Sequence, residues 1–233
     1  MTYRDVSVSA SVVTAILDTG ILPSALEFMD HASMNAVSAY MGSDVFDNKA
    51  GSALLIEVDG EPGETRTAIE KIGSVCKNNA LSMETAHGPD AENLWKARRA
   101  ISPALSKIRP FKLNEDVVVP LSKLPGLVMG VEHIASLLNV RYANFGHAGD
   151  GNIHVNFLYD AKDEDEHARA LKAVDQAFDL VIRLGGTISG EHGVGITKLD
   201  YITKELSPAS HNLMKEIKRL IDPNNIMNPG KAV

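Results

Sequence analysis

The sequence has little cysteine, no long apolar run and no excess of positive charge, and each shortage excludes a class of protein. Its single cysteine, Cys76, cannot form an internal disulfide, so a disulfide-stapled fold is excluded and a reducing compartment fits. No apolar run approaches the roughly 18 to 20 residues that span a bilayer, and the N-terminus lacks a charged head followed by an apolar signal core. We therefore expect a cytoplasmic protein with no transmembrane segment.

Basic residues are also scarce relative to acidic ones. The 23 Lys and Arg residues and 30 Asp and Glu residues give a net charge of −7, which is the wrong sign to attract phosphate backbones. We expect no nucleic-acid partner. The 233 residues, 44% of them hydrophobic, are enough for one large globular domain with a buried core. Because no linker divides the chain, we expect residues 1–233 to form a single domain.

Hydrophobic periodicity alternates between helices and strands along the chain. In the first fifty residues it predicts short helices, one through Ile16 and another opened by Pro23 and Ser24. Further on it predicts strands at 53–58, 81–85, 116–119, 141–145, 152–158 and 187–189, with helices at 63–76, 89–101 and 125–138, after Asp163 and toward the C-terminus. Two units of strand, helix and strand favour an α+β domain in which helices cover one antiparallel sheet.

A glycine-rich segment, residues 144–156, contains most of the candidates for chemistry. Three glycines between positions 146 and 151 fold the chain sharply between two predicted strands, which lets the imidazoles of His147 and His154 face each other. Asn156 shares a strand face with His154, because side chains alternate with a period of two. Two facing imidazoles are half of a metal site, but the same pattern fits histidines that stabilise a turn or pack in a core.

A second glycine-flanked turn, residues 189–195, contains Glu191 and His192. Glycines lower stability unless the backbone and a ligand must approach closely, so this turn is a candidate site, although an ordinary exposed pair fits the same pattern. With His147 and His154, Glu191 would complete a set of two imidazoles and one carboxylate. Such a set suits Zn or Mn and leaves coordination positions open for a substrate.

Three motifs, in this order, resemble the C-terminal domain of FAD-linked D-2-hydroxy-acid dehydrogenases, which have the vanillyl-alcohol-oxidase type of flavin fold. They are Gly-His-Ala-Gly-Asp-Gly-Asn-Ile-His at 146–154, Ser-Gly-Glu-His-Gly at 189–193 and Asp-Pro-Asn-Asn-Ile-Met-Asn-Pro-Gly-Lys at 222–231. The family includes the glycolate oxidase flavin subunit, D-lactate dehydrogenase and D-2-hydroxyglutarate dehydrogenase. The resemblance covers nearly the whole chain. It implies a ferredoxin-like duplicated cap domain with a helical C-terminal tail.

The resemblance also implies roles for individual residues. The metal ligands, for Zn or Mn, are His147, His154 and Glu191, and the catalytic base is His192. The substrate-binding residues are Arg98, Ser102, Lys112 and Asn156, and the cofactor-binding residue is Asn228 in the tail. The register of the resemblance points to Arg98 rather than Arg99, and because adjacent helix positions differ by about 100° of rotation, only one of the two can face the pocket. A planar guanidinium can hold a carboxylate through two parallel hydrogen bonds.

By the same resemblance, the domain binds a small D-2-hydroxy acid such as glycolate or D-lactate, whose hydride passes to FAD on another domain. Nothing in this chain resembles the glycine-rich pyrophosphate loops of that flavin-binding domain. Either the chain is part of a longer protein or a separate flavin-binding chain supplies the FAD. Two alternatives stay open: a stand-alone metal hydrolase with His192 as base, and a non-catalytic assembly module. The sequence leaves open whether the chain forms an oligomer.

Overall fold

An antiparallel sheet runs through the computed structural model, which describes residues 1–231. Within those residues the sheet has seven strands, in the order β4-β1-β3-β2-β6-β7-β5. All neighbouring strands are antiparallel. The strands are β1 (Thr2–Tyr3), β2 (Ala25–Asp30), β3 (Ser52–Glu57), β4 (Ala80–Ser82), β5 (Phe111–Val118), β6 (Arg141–His147) and β7 (Asn152–Tyr159).

Helices connect most of these strands. They are α1 (Val6–Leu17), α2 (His31–Met41), α3 (Pro62–Cys76), α4 (Pro89–Arg99), α5 (Ile101–Ile108), α6 (Leu124–Leu138), α7 (Glu164–Arg183), α8 (Ile202–Glu205) and α9 (Pro208–Ile221). Short 3-10 turns precede α6 and α8. Across residues 1–231, none of the helices combines the length and the apolar character needed to cross a bilayer.

The sheet is built from two copies of one topology. In the first half the order β1-α1-β2-α2-β3-α3-β4 places the strands as β4-β1-β3-β2. In the second half β5, α6, β6, β7 and α7 repeat the pattern without a helix equivalent to α2, and an isolated bridge from Thr187 to Val118 takes the place of the fourth strand. Each half is therefore a ferredoxin-like unit. The two units join where β2 pairs with β6, which confirms the predicted duplicated α+β fold with an antiparallel sheet.

Each face of the sheet packs against its own hydrophobic cluster. The larger cluster includes residues of α1, α3, α6 and α7 together with Phe28 and Phe157, and the smaller one includes residues of α2, α4 and α5 together with Phe145 and Leu158. Because side chains alternate along a strand, β7 contributes Phe157 to one cluster and Leu158 to the other. All eight residues of β7 are buried. The predicted polar face of β7, with His154, therefore points to the side of the smaller cluster.

Three local predictions are wrong. The segment after Pro23 forms strand β2 rather than a helix, because Leu26 and Phe28 face the larger cluster while β3 and β6 supply hydrogen-bond partners on both edges. A short apolar run does not by itself distinguish a strand from a helix. The helix predicted at 89–101 is interrupted at Ala100, and the strand predicted at 187–189 is reduced to the single bridge at Thr187.

The C-terminal tail is helical, as predicted, but its helix lies outside both clusters. None of the residues of α9 is buried. Its apolar side chains recur at helical spacing and are exposed: Leu213, Met214, Ile217, Leu220 and Ile221. Beyond the helix, the Asp222 carboxylate accepts hydrogen bonds from the backbone N–H groups of Ile226 and Met227. The tail is thus folded locally and presents a continuous apolar stripe.

Candidate metal and substrate site

The two histidines of the glycine-rich segment lie together at the start of a hairpin. His147 ends β6 opposite Asn152, and His154 lies two residues further along β7. Gly151 is at φ +78°, and a Cβ there would lie 2.2 Å from the Val119 carbonyl oxygen, so the tight turn between the strands requires glycine. The ring centroids of His147 and His154 are 5.6 Å apart, and the rings are nearly perpendicular.

Glu191 approaches both histidines from the loop that follows the Thr187 bridge. Its Oε1 atom is 3.8 Å from Nε2 of His147 and 3.6 Å from Nε2 of His154. One potential ligand atom from each of the three residues lies within 4.8 Å of the others. The structure thus brings together the three residues predicted as metal ligands. Their role as ligands remains a prediction.

A buried ion pair beneath the loop, which the sequence analysis missed, fixes the position of Glu191. Asp116 on β5 accepts hydrogen bonds at Oδ2 from the backbone N–H groups of Glu191, at 2.7 Å, and His192, at 2.9 Å. Lys198 donates to Asp116 Oδ1 and to the carbonyl of Ile188. Burial alone would raise the pKa of the Asp116 carboxyl, but these hydrogen bonds lower it below its usual value. Asp116 lies far from the 189–195 turn in the sequence, so no local pattern indicates the pair.

His192 lies at the edge of the same cluster. Its ring centroid is 5.7 Å from that of His154, and its Nε2 atom is 3.4 Å from Glu191 Oε1. The exposed fraction of its side chain is 60%. The predicted base is therefore close to the predicted ligands and open to a molecule that enters from solvent.

The two neighbouring arginines of α4 point in different directions. The Arg98 side chain is 12% exposed, donates from Nε to Glu27 Oε2 at 2.7 Å, and places its guanidinium carbon 4.8 Å from the centroid of the Phe145 ring. The Arg99 side chain is 55% exposed and pairs with Glu92. Arg98 is thus the arginine beside the histidine cluster, and it is the one to which the register of the resemblance points. Glu27 was missed because the segment after Pro23 was predicted as a helix.

Two predicted substrate-binding residues form a pair away from this cluster. Lys112 Nζ, on β5, donates to Ser102 Oγ, on α5, at 2.6 Å. Lys112 lies opposite Leu158, which is four residues along β7 from His154, a distance of roughly 13 Å along a strand. Burial lowers the pKa of the Lys112 ammonium. The structure therefore pairs these residues with each other and does not bring them to the predicted metal ligands.

The remaining two predicted residues, Asn156 and Asn228, differ in their exposure. Asn156 is fully buried, and its amide donates to the carbonyls of Ala143, at 3.2 Å, and His154, at 3.0 Å. Its side chain thus supports the hairpin beneath His154. Asn228 is exposed in the tail, with φ +49°, and lies on the same terminal segment as the apolar stripe of α9.

Electrostatics differ between the two histidines. Burial, together with the positive charges of His147 and Arg98, lowers the pKa of His154, which favours the neutral form of this imidazole. The hydrogen bond to Glu27 raises the pKa of His147. A metal ion must displace any proton from the nitrogen that binds it, so metal binding at His147 would release a proton at a pH below that pKa.

Comparisons with known proteins place this chain in a family. The sequence profile described as "FAD linked oxidases, C-terminal domain" matches residues 1–232. The glycolate oxidase subunit GlcD of Bacillus subtilis (strain 168) is 36% identical over 231 residues, covering 98% of this chain and 49% of that protein. The mitochondrial D-lactate dehydrogenase (cytochrome) of Arabidopsis thaliana is 31% identical, covering 99% of this chain and 41% of that protein. This chain spans about half the length of the curated relatives it matches.

A solved structure supports the same placement at the level of fold. The crystal structure of p-cresol methylhydroxylase with substrate bound matches 99% of this chain and 51% of its own, with a TM-score of 0.75 and 14% sequence identity. At that identity the likeness concerns the fold alone. Because the family profile covers nearly every residue, this chain belongs to the FAD linked oxidases and is a C-terminal domain of that family.

Proposed function

We propose that this chain binds the substrate of a flavin-dependent dehydrogenase or oxidase that acts on small D-2-hydroxy acids such as glycolate or D-lactate. The observation that carries the proposal is that the cluster of His147, His154 and Glu191 lies beside the largely buried Arg98. Glu27 contacts both His147 and Arg98. Relatives matched over nearly the whole of this chain are named for glycolate and D-lactate. A divalent cation and an arginine side by side suit a molecule with a carboxylate next to a hydroxyl.

The donor atoms fit a divalent metal such as Zn or Mn. Ligand atoms about 2.0 to 2.2 Å from a tetrahedral ion lie roughly 3.3 to 3.6 Å from one another. The distances of 3.6 and 3.8 Å from Glu191 Oε1 to the two histidine nitrogens are close to that range. Two imidazoles and a carboxylate are a common set for a catalytic metal and leave coordination positions open. We assign His147, His154 and Glu191 to hold the ion.

Arg98 is suited to bind the substrate carboxylate. A guanidinium has five N–H donors, and Glu27 engages those of Nε and one of Nη2. The remaining donors are free to form parallel hydrogen bonds with a second carboxylate. Phe145, packed against the guanidinium, restricts its movement. The side chain is thus held in place before the substrate arrives.

His192 is suited to accept the hydroxyl proton of the substrate. Its imidazole is exposed and lies beside Glu191 and His154, so a hydroxyl group in the cluster is within its reach. When bound, a divalent metal supplies a Lewis acid that lowers the pKa of that hydroxyl, and FAD supplies the acceptor of the hydride from the same carbon. His192 removes the proton from oxygen, which leaves the electron pair that forms the new carbonyl.

The FAD-binding part is proposed to come from outside residues 1–233, in the same protein or as a separate chain. The relatives named above are about twice as long as this chain, so they contain a further segment of similar size. The exposed apolar stripe of α9 and the neighbouring Ile226 and Met227 offer a surface for it. Asn228, in the same tail, is the residue that we expect nearest the cofactor.

The test is reconstitution of the flavin-containing enzyme. The chain, loaded with Zn or Mn, is purified together with a flavin-binding segment, and D-lactate or glycolate is added without oxygen. Bleaching of the flavin absorption with D-lactate, and none with L-lactate, supports the proposal. His192→Asn should abolish the bleaching while the metal stays bound.

Two outcomes would contradict it. If the metal-loaded chain binds no D-2-hydroxy acid and the assembled enzyme keeps its flavin oxidised, the substrate assignment is wrong. If instead the chain alone hydrolyses esters or phosphate esters, and His147→Ala removes that activity, the metal hydrolase is the better description.

A further inference from the structure

Glu27 lies between a predicted metal ligand and the predicted substrate-binding arginine and contacts both. Its Oε1 atom is 2.5 Å from Nδ1 of His147, and its Oε2 atom is 2.7 Å from Nε of Arg98. The residue is 4% exposed, in the middle of β2 and directly opposite His147 on β6. One carboxylate thus connects two side chains from different elements, β6 and α4.

A buried carboxylate at this position destabilises the folded chain unless both of its oxygens have partners. Burial alone would raise the pKa of Glu27, but the hydrogen bonds and charges of His147 and Arg98 lower it below its usual value. An arginine alone could neutralise the charge through both oxygens in a bidentate pair. Here one oxygen binds His147 and the other binds Arg98. The arrangement therefore links the two side chains in addition to neutralising the buried charge.

The contact with His147 determines which ring nitrogen is free. When the imidazole is neutral, a proton on Nδ1 is donated to Glu27, and Nε2 keeps its lone pair. Nε2 is the nitrogen that faces Glu191, at 3.8 Å. A carboxylate on the far nitrogen also fixes the orientation of the ring and increases its basicity as a ligand.

The contact with Arg98 fixes the guanidinium in the same way. Glu27 Oε2 engages Nε and Nη2 along one edge of the group, and Phe145 covers one of its faces. The guanidinium therefore cannot rotate without breaking its bonds to Glu27. Its remaining N–H donors keep one direction relative to His147, because the same carboxylate holds both residues.

We propose that Glu27 is a positioning residue that sets the tautomer of His147 and locks Arg98 beside it, so that the metal and carboxylate subsites form one rigid unit. The proposal rests on the proposed function for the identity of the two subsites. The contacts of Glu27 with the imidazole can be tested without any metal or flavin.

The first measurement is the tautomer of His147 in the metal-free chain. Long-range ¹H–¹⁵N spectra of the full 233-residue chain, at a pH that keeps the imidazoles neutral, distinguish the two tautomers, and loss of a signal in His147→Ala assigns it. We expect the Nδ1–H form in the wild type and a mixture of forms in Glu27→Gln. Because the wild type alone gives the first result, the test stands even if the variant does not fold. A wild-type His147 in the Nε2–H form overturns the proposal.

The second measurement is the affinity for Zn and Mn, by competition with a chromophoric chelator. Glu27→Gln should weaken binding by about 10- to 100-fold, the range for loss of a carboxylate behind a ligating histidine. Glu57→Gln is the matched control, because Glu57 lies on the adjacent strand β3 and accepts a hydrogen bond from Trp95. A folded Glu27→Gln with unchanged affinity would overturn the proposal. If the wild type binds neither metal, the proposed function fails while the tautomer result still decides the role of Glu27.

Discussion

Lys198 and Asp116 form an ion pair that is almost completely buried behind the site, and each also holds the backbone of the loop that carries Glu191. Lys198 donates to the Ile188 carbonyl at the beginning of the loop, and Asp116 accepts from the N–H groups of Glu191 and His192 in its middle. The pair therefore fixes the turn without occupying the pocket. A buried pair contributes little net stability compared with apolar side chains, but removal of one partner leaves an uncompensated charge.

Replacing Lys198 by Met should destabilise the chain by about 3 to 5 kcal/mol, because Asp116 is then buried without its partner. The control is Lys204→Met, since Lys204 bonds the partly exposed Asp175 and Asp179 at the surface and such pairs contribute at most about 1 kcal/mol. Urea unfolding of the two variants measures the difference. Equal losses of unfolding free energy would show that the Asp116–Lys198 pair does not hold the loop.

Metal binding should require His154 and should not require His133, a histidine outside the cluster. His154→Ala removes one of three proposed ligands. We expect the affinity for Zn or Mn to fall by more than about 100-fold, because losing a residue that only hydrogen-bonds to a ligand already costs up to about 100-fold. His133→Ala is the control, because His133 is exposed on α6, on the far side of the sheet. Isothermal titration gives both affinities. If His133→Ala loses as much as His154→Ala, the ion binds elsewhere.

The fold and the proximity of His147 to His154 could be predicted from the sequence, because both leave local signals. Alternation along β7 and the glycine turn before it determine that His147 and His154 share a face. Glu27 and Asp116 leave no such signal. They become partners of His147 and of the Glu191 backbone only when distant strands pair and a loop folds over β5. A lone acidic residue in an apolar strand is ambiguous until its partners are known.

The same limit applies to substrate-binding residues carried over by resemblance. Ser102 and Lys112 lie on α5 and β5, and their hydrogen bond to each other is a tertiary contact between the two elements. The choice of Arg98 over Arg99 came from the register of the resemblance, and the helical rotation of about 100° adds only that the two neighbours cannot face the same side. Tertiary packing decides where Ser102 and Lys112 lie, and no local pattern in the sequence indicates it.

Arg98 and Arg99 should differ in their importance for substrate binding. Arg98→Lys keeps a positive charge near Glu27 but cannot form two parallel hydrogen bonds to a carboxylate. We therefore expect the free energy of substrate binding to weaken by about 1.5 to 3 kcal/mol. That corresponds to a decrease of about 10- to 150-fold in kcat/KM of the assembled enzyme. Arg99→Lys, at the surface position beside Glu92, should leave kcat/KM unchanged. The opposite ranking would remove Arg98 from the site.

Stability should fall as the pH rises from weakly acidic to neutral, because of Glu115. This residue is buried on β5, and burial, with the neighbouring charge of Asp116, raises its pKa from 4.5 to about 7 although Lys198 opposes the change. Since the folded state binds the proton more tightly than the unfolded state, this contribution is complete below about pH 4.5 and is lost as the pH rises through about 7. It amounts to about 3 kcal/mol.

Glu115→Gln cannot ionise, so its unfolding free energy should decrease less than that of the wild type between pH 5 and pH 8, by roughly that amount. Glu64→Gln, an exposed position in the first turn of α3, should follow the wild-type profile. Urea titrations across this range measure all three, and parallel profiles for Glu115→Gln and the wild type would mean that Glu115 is already ionised at no cost in the folded chain.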